Sequence, residues 1–447
     1  MPSIAILGGG ISGLAAAWRL RARGADATLF EASDRTGGVI RTVRRDGFLV
    51  DEGPNTLVAR HEAVGETVEA LGLEDEQVWA DSEAARRYVV RDGVPVALPA
   101  SPQALLTSSL FSARGKLRLL REPFVRPGVA DDETVAAFVR RRLGDEVLDY
   151  AVDPFVGGIL AGDPERLSTR YAFPPLWTFE REHGSLFQGL RRTQKKTSTP
   201  APSSLPFSFR DGMQMLPDAL AHALGDAVRT GARVVGLART ARGWSVTTQS
   251  ADGAETAHFD GVISSLPLHR FAALDFEPGL DLAPLADVAH TDLTVLALGF
   301  RRGQIAHALD GFGMLIPSRE PFDLLGVLFS STLFPGRAPE DHVLLTCFIG
   351  GRRDPERASL PEDGLVDLAL RDLRPLLGVH GAPVFVHAAR WSNVIPQAEI
   401  GYGRVLDTLD TLERHHPGLG FAGSYRYGVS VGDALRSGLD AADRVVG

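Results

Sequence analysis

Apolar and polar positions at the amino end follow a strand–helix–strand rhythm. Ser3–Leu7 (SIAIL) is a short apolar run of strand character. The Ala- and Leu-rich stretch beginning at Leu14 has helical character and stops at Gly24, a natural helix terminator. Asp26–Phe30 (DATLF) reads as a second strand, with Glu31 at its end. At the carboxyl end Leu419–Ala422 reads as a short strand and Gly423–Gly428 as a loop. A helix then opens at Ser430 or Val431 and carries Ala434, Leu435, Leu439, Ala442 and Val446 at helical spacing. Between the two ends, Gly231–Pro267 alternates like a run of hairpin strands, with turns at Ala241–Gly243 and Ala251–Gly253. These patterns predict an α/β protein with a Rossmann-like domain assembled from three separated pieces.

The middle of the chain is less regular. Ala100–Pro127 mixes Leu and Phe with Arg and Lys, the pattern of an amphipathic helix lying on solvent or on an anionic lipid surface. Arg191–Pro206 is rich in Lys, Ser, Thr and Pro and reads as a loop between domains. Val152–Arg170 (VDPFVGGILAGDPERLSTR) reads by itself as a Gly/Pro turn between apolar pieces, without a reactive side chain. No uninterrupted apolar run reaches the roughly 18 residues of a spanning helix. No basic residue precedes the first apolar run, so a signal peptide is not expected.

Composition narrows the class. At 447 residues two or three domains are expected, and 44% apolar with 23% charged residues is the balance of a globular protein. A net charge of −9 argues against a nucleic-acid partner. The single cysteine, Cys347, excludes an intrachain disulfide. His415 and His416 are expected at the surface, and no cluster has metal-ligand spacing.

The chemistry lies in the glycines. Gly8-x-Gly10-x-x-Gly13 falls between the first strand and the first helix, where the turn must be tight and the backbone must approach a pyrophosphate. Ile11 and Ser12, between the second and third glycines, are candidates for the same cofactor contact, and the N-terminus of the helix that follows has N–H groups free to meet phosphate oxygens. Glu31, followed by Ala32, is placed to accept hydrogen bonds from ribose hydroxyls. The extension Glu31-x-x-x-Arg35-x-Gly37-Gly38 is of the flavin rather than the nicotinamide type. Arg35 and Arg41 are placed to meet phosphates or neighbouring backbone. Gly53, Pro54, Asn55 and Thr56 form a small polar turn. Val234 or Val235 is placed to offer backbone groups to an adenine, and Ser264 lies in a stretch, Ile263–Pro267, expected to pass under the cofactor. Gly423, Gly428, Val429, Ser430 and Val431 bring a second helix N-terminus, suited to the negative charge of a reduced flavin.

These motifs resemble the flavin-containing amine-oxidase superfamily. Within it, DEGPNTL, ARRYVVRDGVPVALPASPQALL, VDPFVGGILAGDPERLSTRYAFPPLW, REHGSL, DGFGMLIP, FIGG and WSNVIPQ resemble the protoporphyrinogen oxidases. The resemblance implies an FAD domain of the amine-oxidase type (1–80, 205–270 and 396–447), a mixed-sheet substrate domain (81–100 and 271–395) and a helical, membrane-associating domain (101–204). It implies FAD, a porphyrinogen substrate oxidised by six electrons through hydride transfer to the flavin, and oxygen or a quinone as acceptor. Arg87 then matches a propionate-binding position; Phe312, Gly313 and Leu315 match the substrate face. Phe348 matches a residue packing on pyrrole rings opposite Leu315, and Gly158 matches a backbone element beside the substrate. No catalytic side chain is implied, because the cofactor performs the step. Arg86 remains an alternative to Arg87. The chain departs from the family at Ala398 and Leu160. The location implied is cytoplasmic, or peripheral on the inner face of the plasma membrane, with a homodimer left open. Coproporphyrinogen III, the substrates of other superfamily members, and a non-catalytic flavoprotein remain the alternatives.

Overall fold

The structure, a computed structural model, describes residues 1–58, 61–81, 84, 86–99, 101–196, 205–276 and 282–446. Its first sheet has five strands in the order Val228–Arg229, Asp26–Phe30, Ser3–Leu7, Gly261–Ser264, Leu419–Phe421, and every pairing is parallel. A parallel sheet needs cover on both faces, which is why these strands are continuous apolar runs. Ile4, Ile6, Leu29 and Ile263 pack against the helices Ile11–Ala22, Met215–Leu224 and Val431–Val446. Ala5, Leu7, Phe30, Val262 and Phe421 pack on the opposite side against Leu237, Trp244, Phe271 and Leu409. The hairpins read from Gly231–Pro267 form an antiparallel set, Arg233–Thr240, Gly243–Ser250 and Gly253–Phe259.

The helices Ile11–Ala22 and Val431–Val446 lie side by side and run parallel. Ser12 Oγ donates to the Ala434 carbonyl at 2.7 Å near their starts, and Arg19 pairs with Asp443 at 3.0 Å near their ends. Both N-termini therefore open at the same edge of the sheet.

The second sheet has seven strands in the order Phe385–Pro396, His290–Arg301, His342–Gly350, Leu324–Leu328, Gly313–Leu315, Arg87–Arg91, Val94–Ala97. Only the Gly313–Leu315/Arg87–Arg91 pair is parallel. Side chains alternate between faces along each strand. The back face carries Tyr88, Val90, Leu296, Leu298, Met314, Val327, Leu345, Cys347 and Ile349, sealed by the helix Glu362–Leu377. The front face carries Arg87, Val89, Gly313, Leu315, Leu328, Phe348, Ala297 and His387.

The helical region packs around a buried ion network. Arg142 and Glu122 are fully buried and meet at 2.8 Å; Arg142 also reaches Glu180 at 3.0 Å. Its Nη1 and Nη2 also donate to the carbonyls of Val125 and Gly184, so the buried charges are paired.

Several expectations change. The Val152–Arg170 stretch contains a helix, Asp153–Leu160, rather than an open turn. Phe155, Val156, Ile159 and Leu160 supply helical spacing, and a wide π-type turn over Leu148–Val152 absorbs the missing N–H and the ring of Pro154. The helix ends at Ala161 in the left-handed region (φ 47°). The single amphipathic helix read from Ala100–Pro127 is two short ones, Pro102–Thr107 and Ala113–Leu120. The loop read from Arg191–Pro206 begins as helix, Leu186–Lys196; residues 197–204 lie outside the described residues. Ser424–Tyr427 forms one helical turn inside the expected C-terminal loop. His416 is buried against Trp244 and Phe276 rather than at the surface.

Candidate active site

The glycine turn after Ser3–Leu7 is built so that no side chain stands at its mouth. A Cβ on Gly13 would lie 2.0 Å from the Gly8 carbonyl oxygen, so helix and turn require glycine there. A Cβ on Gly10 would meet nothing within 4 Å: that side of the turn is open. The helix has no side-chain cap at Gly10, leaving the N–H groups of Ile11, Ser12 and Gly13 pointing to the same opening. Gly37 pairs with this turn through backbone, its N–H donating to the Gly9 carbonyl at 2.8 Å. The arrangement fits a dinucleotide pyrophosphate.

Glu31 stands at this mouth. Its carboxylate accepts from the Gly9 N–H at 2.7 Å and from the Ser33 N–H and hydroxyl at 2.8 and 2.7 Å. Ala32 follows it at the turn, and the Ala232 N–H donates to the Glu31 carbonyl. Val234 and Val235 are thereby brought close, with Val235 exposed at an irregular point of its strand. Arg35 turns to backbone, donating to the carbonyls of Thr36, Ile40 and Gly38, so it braces its own loop. Burial and the neighbouring Arg41 hold its guanidinium below the usual range. Ser264 is fully buried beneath the turn, and the next residue, Ser265, stitches the turn directly: its hydroxyl donates to the carbonyls of Leu7 and Gly8 at 3.0 and 2.9 Å.

The carboxyl-terminal unit meets the same edge. Ser430 accepts from the Asp433 N–H at 3.1 Å and so caps Val431–Val446. Gly428 leaves no room for a side chain beside Asp433, and the Gly423 N–H donates to Ser437 at 3.0 Å; Val429 joins Gly428 to the capping Ser430.

The Gly53–Thr56 turn ties this cradle to the second sheet. A Cβ on Gly53 would lie 2.1 Å from the Val39 carbonyl, and Asn55 Nδ2 closes the turn onto the Gly53 carbonyl past Pro54. Glu52, buried just before it, receives His387 at 2.6 Å and Arg41 at 3.2 Å, while Trp391 donates to its carbonyl. Asn55 shares a cavity of about 10 Å³, room for one water, with Leu328, Thr346, Asp51 and Arg337. Asp51 is pushed up by burial, against the pull of Arg337 and Thr42.

The front face of the second sheet is covered at both edges and open between them. The helical region covers Val89 and Leu315. Phe48 and Val50 cover Ala297, Leu344 and Phe385. In the gap, Leu315, Gly326 and Phe348 stand directly opposite one another on three successive strands. Two strand spacings separate Leu315 from Phe348, about 10 Å, and the residue between them is a glycine. The result is a slot with apolar walls and a bare floor. Leu328, one pair along, extends it.

Helix Asp153–Leu160 packs on this slot through Gly158, where a Cβ would lie 2.3 Å from Leu315 Cδ2. The expected backbone approach at Gly158 is therefore to Leu315. Gly313 (φ 150°), opposite Arg87, is required because a Cβ would strike the Val327 carbonyl at 2.2 Å. Arg87 lies over the Phe312 ring at 5.0 Å and makes no ion pair among the described residues. Arg86 is paired with Asp310. Residues the sequence reading passed over are Glu52, Ser265, Gly326, Leu328, His387 and Trp391. Glu52, Ser265 and Trp391 sit inside quoted motifs; nothing in the sequence marks His387.

The family model of flavin-containing amine oxidoreductases matches residues 11–446. The chain belongs to that family. As a flavin-containing amine oxidoreductase it is an FAD-dependent oxidoreductase. It is 38% identical to protoporphyrinogen oxidase 2, chloroplastic/mitochondrial, of Arabidopsis thaliana, covering 99% of this chain and 93% of that protein. It is 28% identical to coproporphyrinogen III oxidase of Bacillus subtilis, covering 98% and 96%. The fold matches reduced UDP-galactopyranose mutase with a TM-score of 0.78 at 18% identity, covering 100% of this chain and 96% of that one. Among the described residues no group of three or more His, Cys, Asp or Glu is placed to hold a metal, and no helix is long and apolar enough to cross a membrane.

Proposed function

We propose that this chain oxidises protoporphyrinogen IX to protoporphyrin IX, with Arg87 taking a propionate and the Leu315–Gly326–Phe348 slot taking a pyrrole. The slot carries the reading: two apolar walls about 10 Å apart over a glycine floor suit a flat ring entering edge-on, and an arginine with no ion pair among the described residues stands two strands from Leu328. The Arabidopsis relative supports this substrate over the coproporphyrinogen III of the Bacillus relative through its higher identity.

Bound FAD supplies a hydride acceptor that oxygen or a quinone then reoxidises. The protein's share is to bind and orient. Leu315, Leu328 and Phe348 exclude water from the ring faces. A bridge methylene between two pyrroles yields hydride readily, because the cation left behind spreads over both rings, and a ring proton then leaves. No side-chain base is required. The cofactor contacts assigned are the backbone of Gly8–Gly13, Gly37–Gly38 and Gly53–Thr56, the Glu31 carboxylate, and the N-terminus at Val431.

A peripheral membrane contact is assigned to the helical region. Leu117, Leu120 and Phe124 are exposed there beside Arg114, Arg118 and Arg121, an apolar surface with basic neighbours suited to anionic lipid.

Anaerobic mixing of the purified flavoprotein with protoporphyrinogen IX, coproporphyrinogen III or a simple primary amine tests the function. Flavin bleaching fastest with protoporphyrinogen IX, with porphyrin fluorescence rising, is expected. Bleaching by amines alone would overturn it.

A further inference from the structure

Two adjacent arginines stand where the strand Arg87–Arg91 begins, and among the described residues only Arg86 has an ion-pair partner. Successive side chains leave a strand on opposite faces. Arg87 faces front, over Phe312. Arg86 faces back with Tyr88 and is paired with Asp310. Asp310 is itself anchored: the Tyr88 hydroxyl, part of the largely buried back face, donates to it at 2.7 Å. That hydrogen bond holds the Asp310 carboxylate below its usual range, so it stays charged. Tyr88 is in turn packed edge-on against His307 at 5.3 Å. The clamp is thus a fixed carboxylate on a rigid tyrosine, and the flexible partner is Arg86.

The other front-face cation of this strand, Arg91, is engaged by Glu146 at 2.7 Å. Among the described residues the slot rim therefore offers one cation on this strand without an ion-pair partner, Arg87. We propose that Asp310 is a specificity-determining residue: by holding Arg86 to the back and placing a negative charge near the rim, it makes the site favour a porphyrinogen with two carboxylates over one with four. The inference rests on the reading of the Arg87 face as a porphyrinogen site. One carboxylate finds Arg87 and a second stays in water. Additional carboxylates meet no free cation and are repelled by Asp310. Because the Arg86–Asp310 pair is solvent-exposed, the discrimination it supplies is modest, about 3- to 10-fold.

The test uses the holoenzyme and two readouts: kcat/KM for protoporphyrinogen IX and coproporphyrinogen III, and Kd for the two corresponding porphyrins by fluorescence titration. Asp310→Asn keeps the shape and the Tyr88 hydrogen bond but releases Arg86. Its coproporphyrinogen-to-protoporphyrinogen ratio is expected to rise about 3- to 10-fold, with a matching gain in coproporphyrin binding. Asp310→Asn with Arg86→Gln should lose most of that gain. Arg86→Gln alone leaves the Asp310 carboxylate uncompensated and should lower the ratio, and it tests the idea even if Asp310→Asn folds poorly. A ratio unchanged within twofold in Asp310→Asn, or a rise in the ratio in Arg86→Gln, would overturn the assignment. A parent protein that binds neither porphyrin would instead overturn the substrate reading on which it rests.

Discussion

The two large sheets solve opposite problems. The five-stranded sheet is covered on both faces, and the edge proposed for the cofactor is made by turns that leave its ends. The seven-stranded sheet is sealed on its back, and the surface proposed for the substrate is the middle of its front face. In the first, glycines are needed because backbone meets backbone, as at Gly13 and Gly53. In the second they are needed because a neighbouring side chain or strand fills the space, as at Gly158 and Gly313. A cofactor cradle built of backbone is specified by local sequence; a substrate slot built of side chains from separate strands depends on register.

The largest effect should come from the first sheet. Gly13→Val puts a side chain where even a Cβ lies 2.0 Å from the Gly8 carbonyl. The purified protein is expected to carry almost no flavin, read as the ratio of flavin to protein absorbance; a normal ratio would mean the turn is not the cradle. Gly158→Leu acts on the second sheet alone. Its side chain must displace Leu315, so turnover should fall at least about tenfold, as expected when an overpacked wall closes a site, while flavin content stays normal. Full activity would remove Gly158 from the wall. Arg87→Ala should be milder. Losing one charge-assisted contact at an exposed rim should raise KM for protoporphyrinogen about tenfold with kcat little changed. A kcat loss at constant KM would contradict a binding role.

The smallest effect lies at the seam behind the slot. Glu399 joins Arg352, just past Phe348, to Arg166, just past the wall helix, at 2.7 and 3.0 Å. Burial pushes its carboxyl up, but the hydrogen bonds and charges of the two arginines outweigh this and hold it below the usual range. A depressed folded value means the stabilisation is complete above the ordinary carboxylate value and is lost as pH falls through the lower folded one. Urea unfolding of Glu399→Gln should show a deficit at pH 7 that closes toward pH 3. A deficit independent of pH would assign the change to packing.

The outcome for particular residues follows this division. Ser3–Leu7 and Asp26–Phe30 were readable to the residue, because a fully covered parallel strand is a continuous apolar run and the intervening glycines mark its turn. The Val431 helix start was readable from Ser430, a cap three residues before Asp433. Val152–Arg170 misled because glycine and proline normally interrupt helices. Here a π-type turn accommodates Pro154, and close packing on Leu315 offsets the roughly 1 kcal/mol that a helical glycine costs. His416 misled because a polar pair of histidines gives no sign of the Trp244 and Phe276 rings that bury it.

By itself the sequence determined the parallel sheet and its glycine turns, and pointed to FAD as the cofactor. Each is local: strand, turn and helix start lie within a few residues, and backbone conformation is dictated by the residue present. Tertiary structure alone decided that Leu315, Gly326 and Phe348 share one row, that Arg87 lies over Phe312 while Arg86 is held by Asp310, and that Glu52 joins His387 across 335 positions of chain. Those facts depend on which strands pair and in what register, and a one-residue slip would turn every one of those side chains to the other face.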